Sequence, residues 1–139
     1  MIEFHYESDF LLDDETKFAD WISRVVGSEG GTIKQLDYIF CSDNYLLDMN
    51  KKYLFHDTFT DIITFDYSVG KQIGGDIFIS VDRVKENAIQ FEIHFEEELL
   101  RVMAHGLLHL FGYTDKTETG KAEMRGKEDE KIKLFHVEQ

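Results

Sequence analysis

The sequence predicts an α+β fold: a single domain over residues 1–139, with a mixed sheet of roughly four strands packed against about five helices. Three observations carry this expectation. Segments of helical period intermix with short runs rich in β-branched and aromatic residues. The strand-like runs are too few for a barrel. The 139 residues, 42% of them hydrophobic, hold no proline, repeat or linker-like tract. A domain of about 150 residues buries roughly 68–70% of its unfolded surface, so a core needs neither disulfides nor a structural metal.

"IEFHY" alternates as a first strand does. After Asp13 and Asp14, Phe18, Trp21, Ile22, Val25 and Val26 recur at the spacing of a helix with one apolar face, and Gly27, Gly30 and Gly31 are expected to end it. "TIKQLDYIFC" reads as a strand, followed by a short helix capped by Ser42 or Asp43 and carrying Tyr45, Leu46, Met49 and Tyr53. "TDIITFDY" and "GDIFIS" read as a hairpin or neighbouring strands, with Gly74-Gly75 as the turn. Ser80 caps a helix bearing Val84, Ala88 and Phe91. A further helix runs from about Phe95 to Phe111, its Glu96, Glu97 and Glu98 complementing the positive helix start. A charged helix follows from about Glu118 to the C-terminus.

The net charge is −13, which opposes general adhesion to nucleic acid, so any RNA contact is expected to be local and no DNA is expected. Lys51, Lys52 and the lysines and arginine from Lys116 to Lys133 are interleaved with acids and read as solvated mixed-charge surface. The N-terminus lacks the pattern of a signal peptide, and no apolar run approaches the ~20 residues of a membrane span, so a cytoplasmic protein is expected. Cys41, the single cysteine, lies in an apolar stretch and reads as a buried, inert thiol.

The chemistry concentrates in "HGLLHLFGYTD", residues 105–115. Residues four apart lie on one helix face, so His105 and His109 can present two imidazoles to one point. Gly112 stands where a helix commonly ends in a left-handed residue, which lets the chain reverse and return Asp115 toward both rings. Alone, each histidine would read as a hydrogen-bonded helix residue and Asp115 as a turn residue. Together they supply three ligands and leave a fourth position open, as in a catalytic zinc site.

This spacing is shared with the metzincin proteases, which need a glutamate directly after the first histidine as general base. Gly106 occupies that position, so peptide hydrolysis by that route is not expected. The stretch is much more similar to the YbeY family, whose hallmark is H-G-x-L-H-L-x-G-Y-D-H: His105, Gly106, Leu108, His109, Leu110, Gly112 and Tyr113 match. "NKKYLFHDTFTDIITF" resembles that family's N-x-x-Y-R-x-x-D-x-P-T-D-V-L-S-F, and "GDIFIS" and "EM" at 123–124 resemble its later segments. Asp115, preceded by Thr114, replaces the family's third histidine. Leu54 replaces its arginine, and Phe59 its proline.

The resemblance implies a metal-dependent endoribonuclease with one zinc ion on His105, His109 and Asp115, acting in maturation of small-subunit (16S) ribosomal RNA and in ribosome quality control. It implies ribosomal RNA, the small subunit and its proteins as partners. Other divalent metals remain open, since affinity order favours copper or nickel over zinc. Asp57 and Asp61, which by position suit backbone capping, become candidate substrate-wall residues through the family match. With arginine absent at position 54, His56, Lys52 and Lys116 are the candidates for its role. Two competing functions are a non-catalytic ribosome assembly factor with a structural metal, and a metal-dependent hydrolase of another substrate.

Overall fold

A computed structural model describes residues 1–56 and 58–137. The elements in chain order are β1 (Ile2–Glu7), α1 (Glu15–Ser28), β2 (Thr32–Cys41), α2 (Asp43–Leu54), β3 (Ile62–Asp66), β4 (Gln72–Ser80), α3 (Val81–Phe91), α4 (Phe95–Leu110) and α5 (Glu118–Phe135). The sheet order is β1-β2-β4-β3, with β1–β2 and β2–β4 parallel and β3–β4 antiparallel. The predicted mixed sheet and helices are the ones that form, and the fold is α+β. No helix among the described residues is long and apolar enough to cross a membrane.

Capping explains most helix starts. Asp14, Ser42, Ser80 and Thr117 each accept a hydrogen bond from a backbone N–H in the first turn of α1, α2, α3 and α5. The apolar face of α1, from Phe18 to Val26, is buried as its spacing predicts. Trp21 Nε1 donates to the Lys131 carbonyl at 2.8 Å, which joins α1 to α5. Helix α4 sets the frame for the site: Leu100, Met103, Ala104 and Leu107 are fully buried in the main core, and each large aliphatic so buried stabilises by about 1.5–3 kcal/mol. Tyr38 of β2 fastens it further, donating to the Met103 carbonyl at 3.0 Å.

Gly106 lets α4 approach the sheet closely. A Cβ there would stand 3.0 Å from both Ile62 Cδ1 of β3 and Ile77 Cγ2 of β4. Cys41 is buried as expected, and burial first, then the carboxylates of Glu7, Asp82 and Asp43, push its thiol up to about 12.

Three local expectations are corrected and a fourth is refined. Gly27 lies inside α1, which ends at Ser28, and the positive φ falls at Gly30. Gly74 and Gly75 lie inside β4; the hairpin turns between Val69 and Gln72, with Gly70 at φ +58. The glycine pair serves close packing instead, since a Cβ on Gly75 would stand 2.6 Å from the Phe65 carbonyl oxygen. Glu98 shares the first turn of α4 with Glu96 and Glu97 but, unlike them, points inward: it is 4% exposed and its Oε1 has no hydrogen-bond partner among the described residues. Lys131 is not solvated surface either. It is buried, and its ammonium contacts Ser28 Oγ, Glu29 and Glu130.

Candidate metal centre

The last two turns of α4 carry His105 and His109, whose Nε2 atoms converge to 2.8 Å. The helix then stops in a Schellman motif: Gly112 N donates to the His109 carbonyl at 3.0 Å and Tyr113 N to that of Leu108 at 3.1 Å, with Gly112 at φ +96. The reversal that Gly112 predicts is therefore present. It returns Asp115, whose Oδ2 lies 3.5 Å from His105 Nε2. Ligand atoms of all three residues lie within 4.8 Å of one another. Donors around a tetrahedral zinc with bonds of ~2.0–2.2 Å sit roughly 3.3–3.6 Å apart, so these residues fit the ion by type and the His105–Asp115 pair by separation, while the two imidazole nitrogens at 2.8 Å would have to part by about half an ångström.

The loop is tied down from behind. Tyr113 donates its hydroxyl to Glu29 Oε1 at 2.7 Å, while Lys131 and Lys127 donate to Glu29 Oε2 at 2.7 and 3.2 Å. Burial raises the Glu29 pKa, but the hydrogen bonds from Lys131, Tyr113 and Lys127 outweigh it and bring it to about 2.

A residue that sequence reasoning missed orients the first histidine. Glu128 of α5 places Oε2 2.6 Å from His105 Nδ1, and its Oε1 accepts from Arg101 at 2.9 Å. A carboxylate on Nδ1 holds the proton there and turns Nε2 outward as a lone-pair donor, the usual support of a metal-bound imidazole. One signal was available: Met124, Glu128 and Ile132 fall four apart on the buried stripe of α5, so the carboxylate occupies an interior position. Burial opposes charging of His105, yet Glu128, then Asp115 and Asp61, outweigh it and raise its pKa. Burial and the neighbouring His105 lower that of His109.

Beside the cluster lies a cavity of about 610 Å³ whose walls include Asp61, Ile62, Phe91, His105, Asp115 and Glu128. Asp61 is thus on the wall, and burial raises its pKa. Its backbone carbonyl accepts from Ser80 N at 2.9 Å. His56 and Lys116 are exposed and are not among the lining residues, and Lys52 lies 5.3 Å over the ring of Tyr53. Asp57 lies outside the described residues. Glu98 lines the cavity, and burial first, then the charge of Asp61, pushes its pKa to about 7.

Fold and site together define a class: α+β proteins in which a helix end gathers two imidazoles and a carboxylate beside a cavity. The sequence profile of the family described as "Endoribonuclease YbeY" matches residues 3–136, and the chain belongs to that family. It is 56% identical over 139 residues to the "Endoribonuclease YbeY" of Flavobacterium psychrophilum, covering 100% of this chain and 99% of that protein. It is 57% identical to its namesake in Flavobacterium johnsoniae, with 100% of both chains covered. The solution structure of TM1509 from Thermotoga maritima superimposes with a TM-score of 0.69 at 26% identity, covering 97% of this chain and 89% of that one.

Proposed function

We propose that this protein is a zinc-dependent endoribonuclease that cleaves ribosomal RNA during maturation of the small subunit, working in the cytoplasm with that subunit and its proteins. The observation that carries the site is the convergence of His105, His109 and Asp115 within 4.8 Å, with Glu128 fixing the orientation of His105. The family's name carries the substrate class.

His105 and His109 would hold the ion through Nε2, and Asp115 through a carboxylate oxygen. When bound, zinc supplies Lewis acidity toward a phosphoryl oxygen and lowers the pKa of a water to about 7. The chain's own residues do the rest. Glu128 keeps the His105 proton on Nδ1, away from the ligand-bearing nitrogen. Gly106 provides no side-chain base, and its packing against Ile62 and Ile77 leaves no room for one. Asp61, on the same cavity wall with a raised pKa, is the carboxyl suited to exchanging a proton there. Ile62 and Val102 contribute apolar surface to a wall that is otherwise largely charged.

The test is cleavage of a labelled small-subunit RNA precursor by the purified protein, with and without a chelator. Cleavage that chelation abolishes, zinc restores and His105→Ala removes is expected. An RNA left intact under all conditions, or cut equally by a folded His105→Ala variant, contradicts the proposal.

A further inference from the structure

The cavity wall is rich in acids, with Asp61, Glu97, Glu98, Asp115 and Glu128 all contributing, yet an RNA phosphate has to enter it. Two guanidinium groups also line it, those of Arg101 and Arg125. Arg101 is committed: its two terminal nitrogens lie 2.9 Å from Glu128 Oε1 and 2.6 Å from Asp129 Oδ1. Arg125 is exposed, and among the described residues no carboxylate lies within 4 Å of it. Its field reaches Glu98, but that carboxyl leaves Oε1 without a partner, so the fork of Arg125 is not occupied by it.

Its backbone is firmly placed. Arg125 follows the buried Met124 and stands three residues, about one helical turn, before Glu128, the residue that orients His105. One helix therefore presents both the support of the metal cluster and an uncommitted planar donor at the cavity wall. A guanidinium fork is the side chain best matched to two phosphate oxygens. At the end of α2, where the sequence places Leu54, no guanidinium is available.

We propose that Arg125 is the phosphate-gripping residue of this site, binding non-bridging oxygens of an RNA phosphodiester lodged in the cavity. The inference rests on the endoribonuclease reading above. It makes Arg125 a substrate-binding residue, acting on KM more than on kcat.

The experiment is titration of a fluorescent, cleavage-resistant 2′-O-methyl RNA decamer with the zinc-loaded protein across a series of KCl concentrations. Native protein is compared with Arg125→Ala, Arg125→Gln, Arg125→Lys and, as a control for loss of one positive charge that does not line the cavity, Lys85→Ala. Circular dichroism and metal content confirm that each variant is intact. Arg125→Ala and Arg125→Gln are expected to bind about 10- to 100-fold more weakly at the lowest salt, as for loss of a charged hydrogen-bond pair. They should also reduce the slope of log affinity against log salt by about 0.7, the value for one single-strand phosphate contact. Arg125→Lys should restore affinity only in part. Affinity and slope in the Arg125 variants equal to those of Lys85→Ala overturn the inference alone. No binding by the native protein in any salt overturns it together with the endoribonuclease reading.

Discussion

Glu128 Oε2 and His105 Nδ1 meet at 2.6 Å across the packing of α5 on α4, 23 residues apart in the chain. The carboxylate is 7% exposed and accepts from Arg101 as well, so its charge is compensated on one side and committed to the imidazole on the other. It fixes which nitrogen of His105 carries a proton. Glu128→Gln keeps the shape and loses the charge, and it is expected to weaken zinc affinity by about 10- to 100-fold in a chelator competition. Affinity within twofold of native would mean that His105 is oriented by something else.

Asp115 gives the site a carboxylate where an imidazole would be a neutral ligand, which lowers the net charge of a divalent site from +2 to +1. A bound ion then acidifies water less. The Asp115→His variant should show its activity rise at lower pH than the native protein, in matched pH–rate profiles with RNA. A profile that does not move, or moves to higher pH, contradicts this assignment of charge.

Glu29 links α1, the Tyr113 loop and α5, and its pKa falls from 4.5 to about 2 on folding. A depressed carboxylate pKa adds stability that is fully present above the unfolded value and is lost as pH falls toward the folded one. Glu29→Gln should therefore cost about 2–3 kcal/mol at pH 7 and much less near pH 2. Urea denaturation at several pH values measures the difference, and a cost independent of pH would count against the linkage.

Gly106→Ala tests the close contact of α4 with the sheet. Alanine favours a helix by ~1 kcal/mol over glycine, but overpacking against two buried isoleucines costs about 1–3 kcal/mol. Net destabilisation and a loss of activity are expected, because the strain is transmitted to the turn holding His105 and His109. Thermal melts showing a gain in stability would place the contact elsewhere.

The sequence disclosed those parts of the molecule that local periodicity encodes. β2 spans the predicted Thr32–Cys41, and α4 ends one residue short of the predicted Phe111, because apolar spacing and Gly112 mark both. The His105, His109 and Asp115 cluster was legible for the same reason: its members share one helix end and one turn. Glu128 and Arg125 were not identified as site residues, since only the packing of α5 against α4 brings them to the cavity, whereas Arg101, four residues before His105 on α4 itself, was within reach of the same helical spacing. Gly74-Gly75 misled because the pair looks like a turn, while its purpose is the close approach of Phe65 and Leu110 to β4. Glu98 stands in the first turn as its position suggests, but its burial was not legible, because it depends on how the helix is rotated against its neighbours.

The most direct test of the central claim is elemental analysis of the purified protein beside Asp115→Ala, prepared identically and shown to be folded by circular dichroism. About one zinc per chain in the native protein and a clear loss in the variant is the predicted result. Equal metal in both, or none in either, would contradict the two-histidine, one-aspartate centre and return Asp115 to the role of a turn residue.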